Sequence, residues 1–336
     1  MVSFLKRIFI LILVLMIPSV AFSQKAVKPR NGEGIQSFLK RHKLTSEEDY
    51  EKFLELNSGK FGKGNSLLKG VSYKLPVSSS SSSSSSANQN FGAKFNNKLF
   101  GKNYSEYTIK SNKLEGACFY LTSGHGGPDP GAIGEAGGHK LHEDEYAYDI
   151  TLRLAHALME EGATVYMIIQ DKDGIRDDKY LKNSKTETCM GATIPLGQVE
   201  RLRQRTNKIN SLNRKSKSNY KRAIFIHLDS RSKSKQLDVF FYYAENSTEG
   251  KKLANTMLKT FDEHYNKHQP SRGFTGTVST RNLYVLNKTT PTALFVELGN
   301  IRNSFDQRRF LDYNNRQALA NWICRGFIRD FENTRK

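Results

Sequence analysis

The chain has 336 residues, enough for one sizeable core with a small module beside it. Its formal charge of +19 suits an anionic polymer as partner. Past the amino-terminal segment, no stretch is apolar and long enough to cross a bilayer, and three cysteines is an odd count for an exported protein.

Residues 1–23 have the make-up of a signal peptide. Lys6 and Arg7 form the positive end, residues 8–16 the apolar centre, and Ala21, Phe22 and Ser23 a small-residue cleavage site. The expected location is therefore outside the cytoplasm, in the periplasm or cell envelope. No stable membrane span is expected after cleavage, although the segment could instead be kept as an anchor. No cysteine lies near the cleavage site, which argues against a lipoprotein. Export also argues against intracellular nucleic acid. The basic run Arg214, Lys215, Ser216, Lys217 lies in a Ser/Asn-rich stretch and reads as a solvated loop. A cell wall, with its carboxylates and anionic polymers, suits both the charge and the export signal.

Residues 24–76 form a small front module. Gly34 and Ile35 lead into a helical stretch carrying Phe38 and Leu39, and a second one holds Tyr50, Phe53, Leu54 and Leu56, followed by Asn57. The segment closes on Val71, Tyr73, Leu75 and Pro76. This strand–helix–helix–strand order, with an Asn after the second helix, resembles a LysM glycan-binding module; a generic α+β spacer is the alternative. Residues 78–86 are an uninterrupted serine run, which cannot bury apolar surface and reads as a flexible linker. The linker and a polar extension occupy residues 77–112, where Tyr104, Tyr107 and Ile109 could add an edge strand or lie across the back domain.

Residues 113–336 alternate strands and helices. Apolar runs at 117–121, 164–169, 223–226, 238–243, 283–286 and 293–296 read as strands. Helical spacing appears in Ala147, Ile150, Leu154 and Leu158, in the polar stretch 196–212 carrying Arg201, Arg203 and Arg205, and in Leu253, Met257 and Phe261. A capping box, Ser304 with Gln307, opens a last helix with Phe310, Leu319, Trp322 and Ile323. The expected fold is α/β: a mostly parallel sheet with helices on both faces. Cys118 and Cys324 read as buried hydrophobes. The segment 171–197 is longer than an ordinary connection, so it is functional or disordered.

The chemistry concentrates where strands end. His125 follows the first apolar run inside Gly124-His125-Gly126-Gly127-Pro128-Asp129-Pro130-Gly131, and open α/β sheets place their sites at that edge. His227 ends a second strand after Ile226. Between them, the run Glu143-Asp144-Glu145 opens a helix whose first-turn carboxylate can point back over the sheet edge. Two histidines and one carboxylate with an open fourth position form a catalytic zinc set. Glu297 ends another apolar strand, where a buried carboxylate needs a partner, and reads as a salt-bridged residue or a general base.

Taken in order, Gly124–Ala132, Glu143 before its helix, Ile226-His227, and Val296-Glu297-Leu298-Gly299 with Asn303 resemble the zinc-dependent N-acetylmuramoyl-L-alanine amidases of the amidase-3 group, over residues 116–331. The resemblance implies Zn2+ held by His125, Glu143 and His227, with Glu297 as the catalytic base and peptidoglycan as the substrate. His139 and His142 are rival ligands close to Glu143. Arg205 and Asp229 are secondary candidates for substrate or supporting contacts. Asp229 stands where the group commonly has Asn, and Asn300 where an aromatic is common, which bears on substrate fit. In some relatives a helical insertion covers the metal until a partner removes it, so a protein activator acting on 171–197 is a further partner the resemblance admits. The competing readings are a non-catalytic wall-binding protein with a degenerate hydrolase domain, and a zinc peptidase cutting within the stem peptide.

Overall fold

The computed structural model describes residues 26–76, except 43, 45, 46, 63 and 64, and residues 91–335, except 270. The expected signal peptide and serine run lie outside the described residues. The chain divides into two compact units, Met1–Ser86 and Ala87–Lys336.

In the first unit, β1 (Ala26–Val27) is followed by helices α1 (Ile35–Arg41) and α2 (Glu47–Leu56), then by β2 (Tyr73–Lys74). The two short strands pair antiparallel, Val27 opposite Tyr73. Phe38, Leu39, Phe53, Tyr73 and Leu75 make the small core. Asn57 is buried at the end of α2. Its amide donates to the carbonyls of Phe53 and Lys74, each at 2.8 Å, and its oxygen accepts the Lys74 N–H at 2.8 Å. One side chain thus closes a helix end and fixes it to the last strand, which matters in a unit with so little core.

The second unit opens with a hairpin of β3 (Lys94–Asn96) and β4 (Glu106–Thr108). Phe100 and Ile109 are buried, Tyr107 meets Phe100 and His156, and Tyr104 donates to Asp177 at 2.6 Å. This segment therefore lies across the larger unit and adds no strand to its central sheet.

The remaining elements are β5 (Ala117–Ser123), the hairpin β6 (Ile133–Ala136) and β7 (His139–His142), α3 (Glu143–Glu160), β8 (Thr164–Met167), the small sheet of β9 (Ile169–Gln170), β10 (Thr188–Cys189) and β11 (Ala192–Thr193), α4 (Gln198–Lys215), β12 (Tyr220–Asp229), β13 (Phe240–Tyr243), α5 (Thr248–His268), β14 (Thr277–Thr280), α6 (Tyr284–Lys288), β15 (Thr292–Asn300), α7 (Arg308–Leu311) and α8 (Tyr313–Thr334). Six strands form the central sheet in the order β14-β13-β15-β12-β5-β8. Every pairing is parallel except β13 with β15.

The steps β5–α3–β8 and β8–α4–β12 run in opposite directions across the sheet, so right-handed crossovers put α3 and α4 on opposite faces. α8 packs against both α3 and α5, while α6 packs against α4 and β15. Strands covered on both sides are apolar throughout. All seven residues of β5 are buried. By contrast β13, Phe-Phe-Tyr-Tyr, alternates half-buried and buried, which marks a face that no helix covers.

Three local expectations change. Residues 283–286 form the start of α6, not a strand; a short apolar run fits either element, and here adjacent Val285 and Leu286 bury against the sheet and α4. Ser304 is exposed and caps nothing. Instead the Asn303 side chain accepts from the Phe305 and Asp306 N–H groups at 3.0 and 3.1 Å, and buried Gln307 donates to the carbonyls of Glu135 and Ile301. The segment 171–197 contains no helix; it is ordered around the β9–β11 sheet. All three cysteines are buried and no disulfide joins them.

One ionic centre ties this segment down. Asp149 of α3 accepts from Arg153 Nε at 2.8 Å and from Arg316 Nε of α8 at 2.6 Å, and all three side chains are at most 1% exposed. Its other oxygen takes the Arg176 N–H at 2.8 Å, and both guanidiniums donate to the Arg176 carbonyl. Asp149→Ala leaves buried Arg316 without its carboxylate and Arg153 with only the half-exposed Asp177, a loss of about 3–5 kcal/mol. Against a total of about 5–15 kcal/mol, urea unfolding of this variant is expected to show a much lower midpoint.

Candidate active site

The carboxyl ends of β5, β12 and β15 lie side by side. Ser123 pairs with Ile226, and His227 pairs with Glu297. Just beyond β5 the chain turns sharply: His125 has a φ of 57°, a left-handed conformation uncommon outside glycine, followed by Gly126 and Gly127 at 101° and 65°. The turn brings His125 against His227, ring centroids 4.9 Å apart. Two glycines permit that approach. A Cβ on Gly124 would fall 2.4 Å from the His227 ring, and one on Gly131 would fall 2.6 Å from His125 and 2.7 Å from Glu143.

Glu143 is the first residue of α3 and is 3% exposed. Its Oε1 lies 3.3 Å from His125 Nε2 and 3.1 Å from His227 Nδ1, and also accepts the Leu228 N–H at 3.0 Å. Its Oε2 accepts the Ala132 N–H at 2.8 Å. Burial alone would raise this carboxyl, but the hydrogen bonds and charges of the two histidines outweigh it and hold it well below the usual range. Burial also opposes charge on His125, yet hydrogen bonds to Asp129 and Glu143 raise it to about 10, while burial pushes His227 down. One carboxylate can neutralise one imidazolium, and these two rings share it.

His125, Glu143 and His227 each offer a ligand atom within 4.8 Å of the others. His125 Nδ1 is hydrogen-bonded to Asp129 Oδ2 at 2.9 Å, which turns Nε2 toward Glu143. Metal-binding histidines are commonly oriented in this way. The donor set of two imidazoles and a carboxylate, with the second ring nitrogen of His125 engaged, fits a zinc ion.

Glu297 stands on the same face as Phe295, whose ring stacks on His227 at 4.4 Å. Its Oε2 is buried without a hydrogen-bond partner. Burial, then the charges of Glu143 and Asp229, push its carboxyl well above the ordinary range. A carboxyl with an open oxygen beside a ligand set can take up and return a proton.

The other sequence candidates fall around this centre. Arg205 is 4% exposed, donates to the carbonyl of His125, and is lowered to about 10 by burial. It thus braces the histidine turn from beneath. Asp229, at the end of β12, accepts from Arg231 Nε at 3.0 Å and lies close enough to Glu297 to affect its charge. His139 stacks on Tyr180 at 3.9 Å and stands outside the ligand group, as does His142, whose charged form burial disfavours.

Asp129 had drawn no separate role from the sequence, although it stands four residues after His125 in the Gly-Gly-Pro-Asp turn. It joins His125 to Arg201 of α4, whose Nη2 lies 2.7 Å from Asp129 Oδ2. Glu187, on the 171–197 segment, accepts the Gly127 N–H at 2.8 Å. It forms a second buried acidic group with Asp144 and Glu145. Arg176 balances Glu145 at 2.7 Å, and burial followed by the neighbouring carboxylates pushes Asp144 up to about 8. At the opposite edge of the sheet, a cavity of about 1020 Å³ is lined by residues such as Lys217, Tyr220 and Arg222 at the strands' amino ends, away from this chemistry.

Comparison with known proteins bears on the whole assembly. The family model for N-acetylmuramoyl-L-alanine amidase of the amidase-3 type matches residues 120–329. The germination-specific N-acetylmuramoyl-L-alanine amidase of Bacillus subtilis is 25% identical over 222 residues, covering 65% of this chain and 81% of that protein. Among solved structures, the amidase AmiC2 of Nostoc punctiforme is 22% identical with a TM-score of 0.46, covering 65% of this chain and 97% of that one. The CwlD amidase of Clostridioides difficile, solved in complex with the GerS lipoprotein, is 20% identical with a TM-score of 0.48, covering 64% of this chain and 98% of that one. The chain spans 28% of the length of Cwp6 from Clostridium difficile. A match running from the middle of β5 to the last turns of α8, and so enclosing both histidines, Glu143 and Glu297, makes this chain a member of the N-acetylmuramoyl-L-alanine amidase family of the amidase-3 type.

Proposed function

We propose that this chain is an exported, zinc-dependent peptidoglycan amidase that hydrolyses the bond between the lactyl carbonyl of N-acetylmuramic acid and the L-alanine nitrogen. The observation that carries the reading is the single buried Glu143 carboxylate between His125 and His227, with Glu297 directly across the strand pair from His227. His125 Nε2, Glu143 and His227 would hold the ion. When bound, zinc supplies Lewis acidity, which acidifies water and polarises a carbonyl.

Every other step belongs to side chains of this protein. Glu297 accepts the proton that water loses as its oxygen attacks the lactyl carbonyl, then gives it to the alanine nitrogen as the C–N bond breaks. Asp129 holds His125 by its Nδ1, and Arg201 holds Asp129. Arg205 fixes the main chain of the turn through the His125 carbonyl. The family's activity at this bond and the intact ligand set favour hydrolysis of the wall over a degenerate binding role. The first unit, in this reading, is a LysM-like wall-binding module tethered through the serine run, and the basic charge of the chain favours the anionic wall.

Four outcomes are expected. Asp129→Ala loses the acceptor that orients His125, and its zinc affinity in chelator competition is expected to fall roughly 10–100-fold. His125→Ala should lose at least as much; unchanged zinc occupancy in both would sink the ligand assignment. Glu297→Gln is expected to keep zinc and fold while kcat falls by roughly 10²–10⁴, read as new L-alanine amino termini released from purified wall without new reducing ends. Removing residues 24–76 is expected to weaken co-sedimentation with insoluble wall and leave turnover of a small soluble muramyl peptide similar; unchanged sedimentation would make the first unit a spacer.

A further inference from the structure

One part of the catalytic face carries side chains that the hydrolytic machinery does not use. On β13, Phe241 and Tyr243 are buried, whereas Phe240 and Tyr242 are half-buried. The antiparallel register sets Phe240 opposite Glu297 and Tyr242 opposite Phe295, so all four point from the same side of the sheet. On β14 the partners of Phe240 and Tyr242 are Thr277 and Ser279, both exposed. The result is an open, shallow platform that begins at the proposed base. Its rings run in series from the ligand His227: Phe295 at 4.4 Å, Tyr242 a further 6.2 Å away, then Phe240 at 6.0 Å.

Each outer ring carries an arginine. The Arg231 guanidinium lies 5.0 Å from the Phe240 ring centre, and that of Arg281 lies 5.1 Å from Tyr242. Arg231 spends one edge on Asp229, at 3.0 Å. Arg281 is exposed and makes no ion pair among the described residues. A guanidinium held over a ring can keep N–H groups at its edge for a carboxylate. Neighbouring strands are about 4.8 Å apart, so the platform starts one strand from Glu297, within reach of the next residue or two of an extended peptide at about 3.3–3.6 Å per residue.

We propose that this platform is the subsite for the leaving peptide, with Phe240 and Tyr242 seating Arg231 and Arg281, which read its free carboxylates. The inference rests on the amidase reading and adds its substrate class: peptide stems whose second residue keeps an unamidated carboxylate. Charge complementarity selects the peptide over the glycan as the occupant, because the lactyl carboxyl is bound in the amide and the amino sugars offer these guanidiniums no anion.

The test uses the full chain and two dipeptides, L-alanyl-D-isoglutamic acid and its α-amide, titrated by NMR at low ionic strength. The wild type is expected to bind the acid about 2–5-fold more tightly than the amide, the scale of the one exposed charged contact that amidation removes, and added salt should erode the preference. The double variant R231Q/R281Q should bind both peptides alike. Equal binding by the wild type, an undiminished preference in the variant, or loss of glycan-fragment binding in place of peptide binding would each overturn the subsite. Product analysis on purified wall separates this from the amidase reading. Release of L-alanine amino termini without peptide discrimination removes the subsite alone, and discrimination without such termini removes the amidase reading alone.

Discussion

A buried carboxylate is costly unless every lone pair is answered, and Glu143 is where this fold meets that constraint. Its two oxygens take two backbone N–H groups and face two imidazole nitrogens, contributed by the turn after β5, the loop before β6 and the end of β12. The first two belong to one connection, residues 124–132, and β12 comes from far along the chain. Each is brought in by the sheet, by the hairpin that precedes α3, or by a glycine whose missing Cβ leaves room for a ring. Losing any one of them would leave charge in the interior without its partners. The arrangement that prepares a cation site is therefore the same one that makes the helix start where it does.

The long 171–197 segment serves that arrangement from outside. Asp149, Arg153 and Arg316 clamp its start through the backbone of Arg176, and Glu187 from its far part fixes the N–H of Gly127, two residues past His125. Arg205 holds the carbonyl of His125 itself. The histidine turn, with a left-handed non-glycine residue at its centre, costs conformational energy of about 1–3 kcal/mol, and the contacts of Glu187 and Arg205 offset it. The segment thus braces the turn through Glu187.

Much of this was legible in the sequence because the strands that carry the chemistry are buried on both faces. Residues 117–121, 223–226 and 293–296 are unbroken apolar runs, and an ionisable residue just past such a run stands out. What stayed hidden depends on long-range pairing. Asp129 is one more acid in a Gly/Pro turn until the fold brings Arg201 beside it. Val285 and Leu286 are two adjacent apolar residues, which suit a strand or one turn of helix equally, and only packing against β15 and α4 decides. At Ser304 the local capping pattern lost to a neighbour, because Asn303 reaches the same N–H groups and Gln307 is drawn into the core instead. The wall-binding reading of the first unit rests on a looser pattern still, since fifty residues with two-residue strands leave few positions that only one fold would require.

The reversal of a single strand has consequences beyond its length. If β13 ran parallel to β15, a crossover helix would be needed between its neighbours on one face or the other. Because it runs antiparallel, the chain crosses from β12 to β13 by a loop, and α5 covers β13 on the side of Phe241 and Phe261. The other side is left bare next to Glu297. That bareness shows in the sequence of β13, where four aromatic residues in a row would normally mark a buried strand but here alternate between core and surface. Aromatic rings on an open face are an exposure that a fold tolerates more readily when arginines sit over them, and the same arginines give the face a charge preference. The topology that places the proposed base at a strand end thus also leaves the half-buried aromatic rings of β13 beside it.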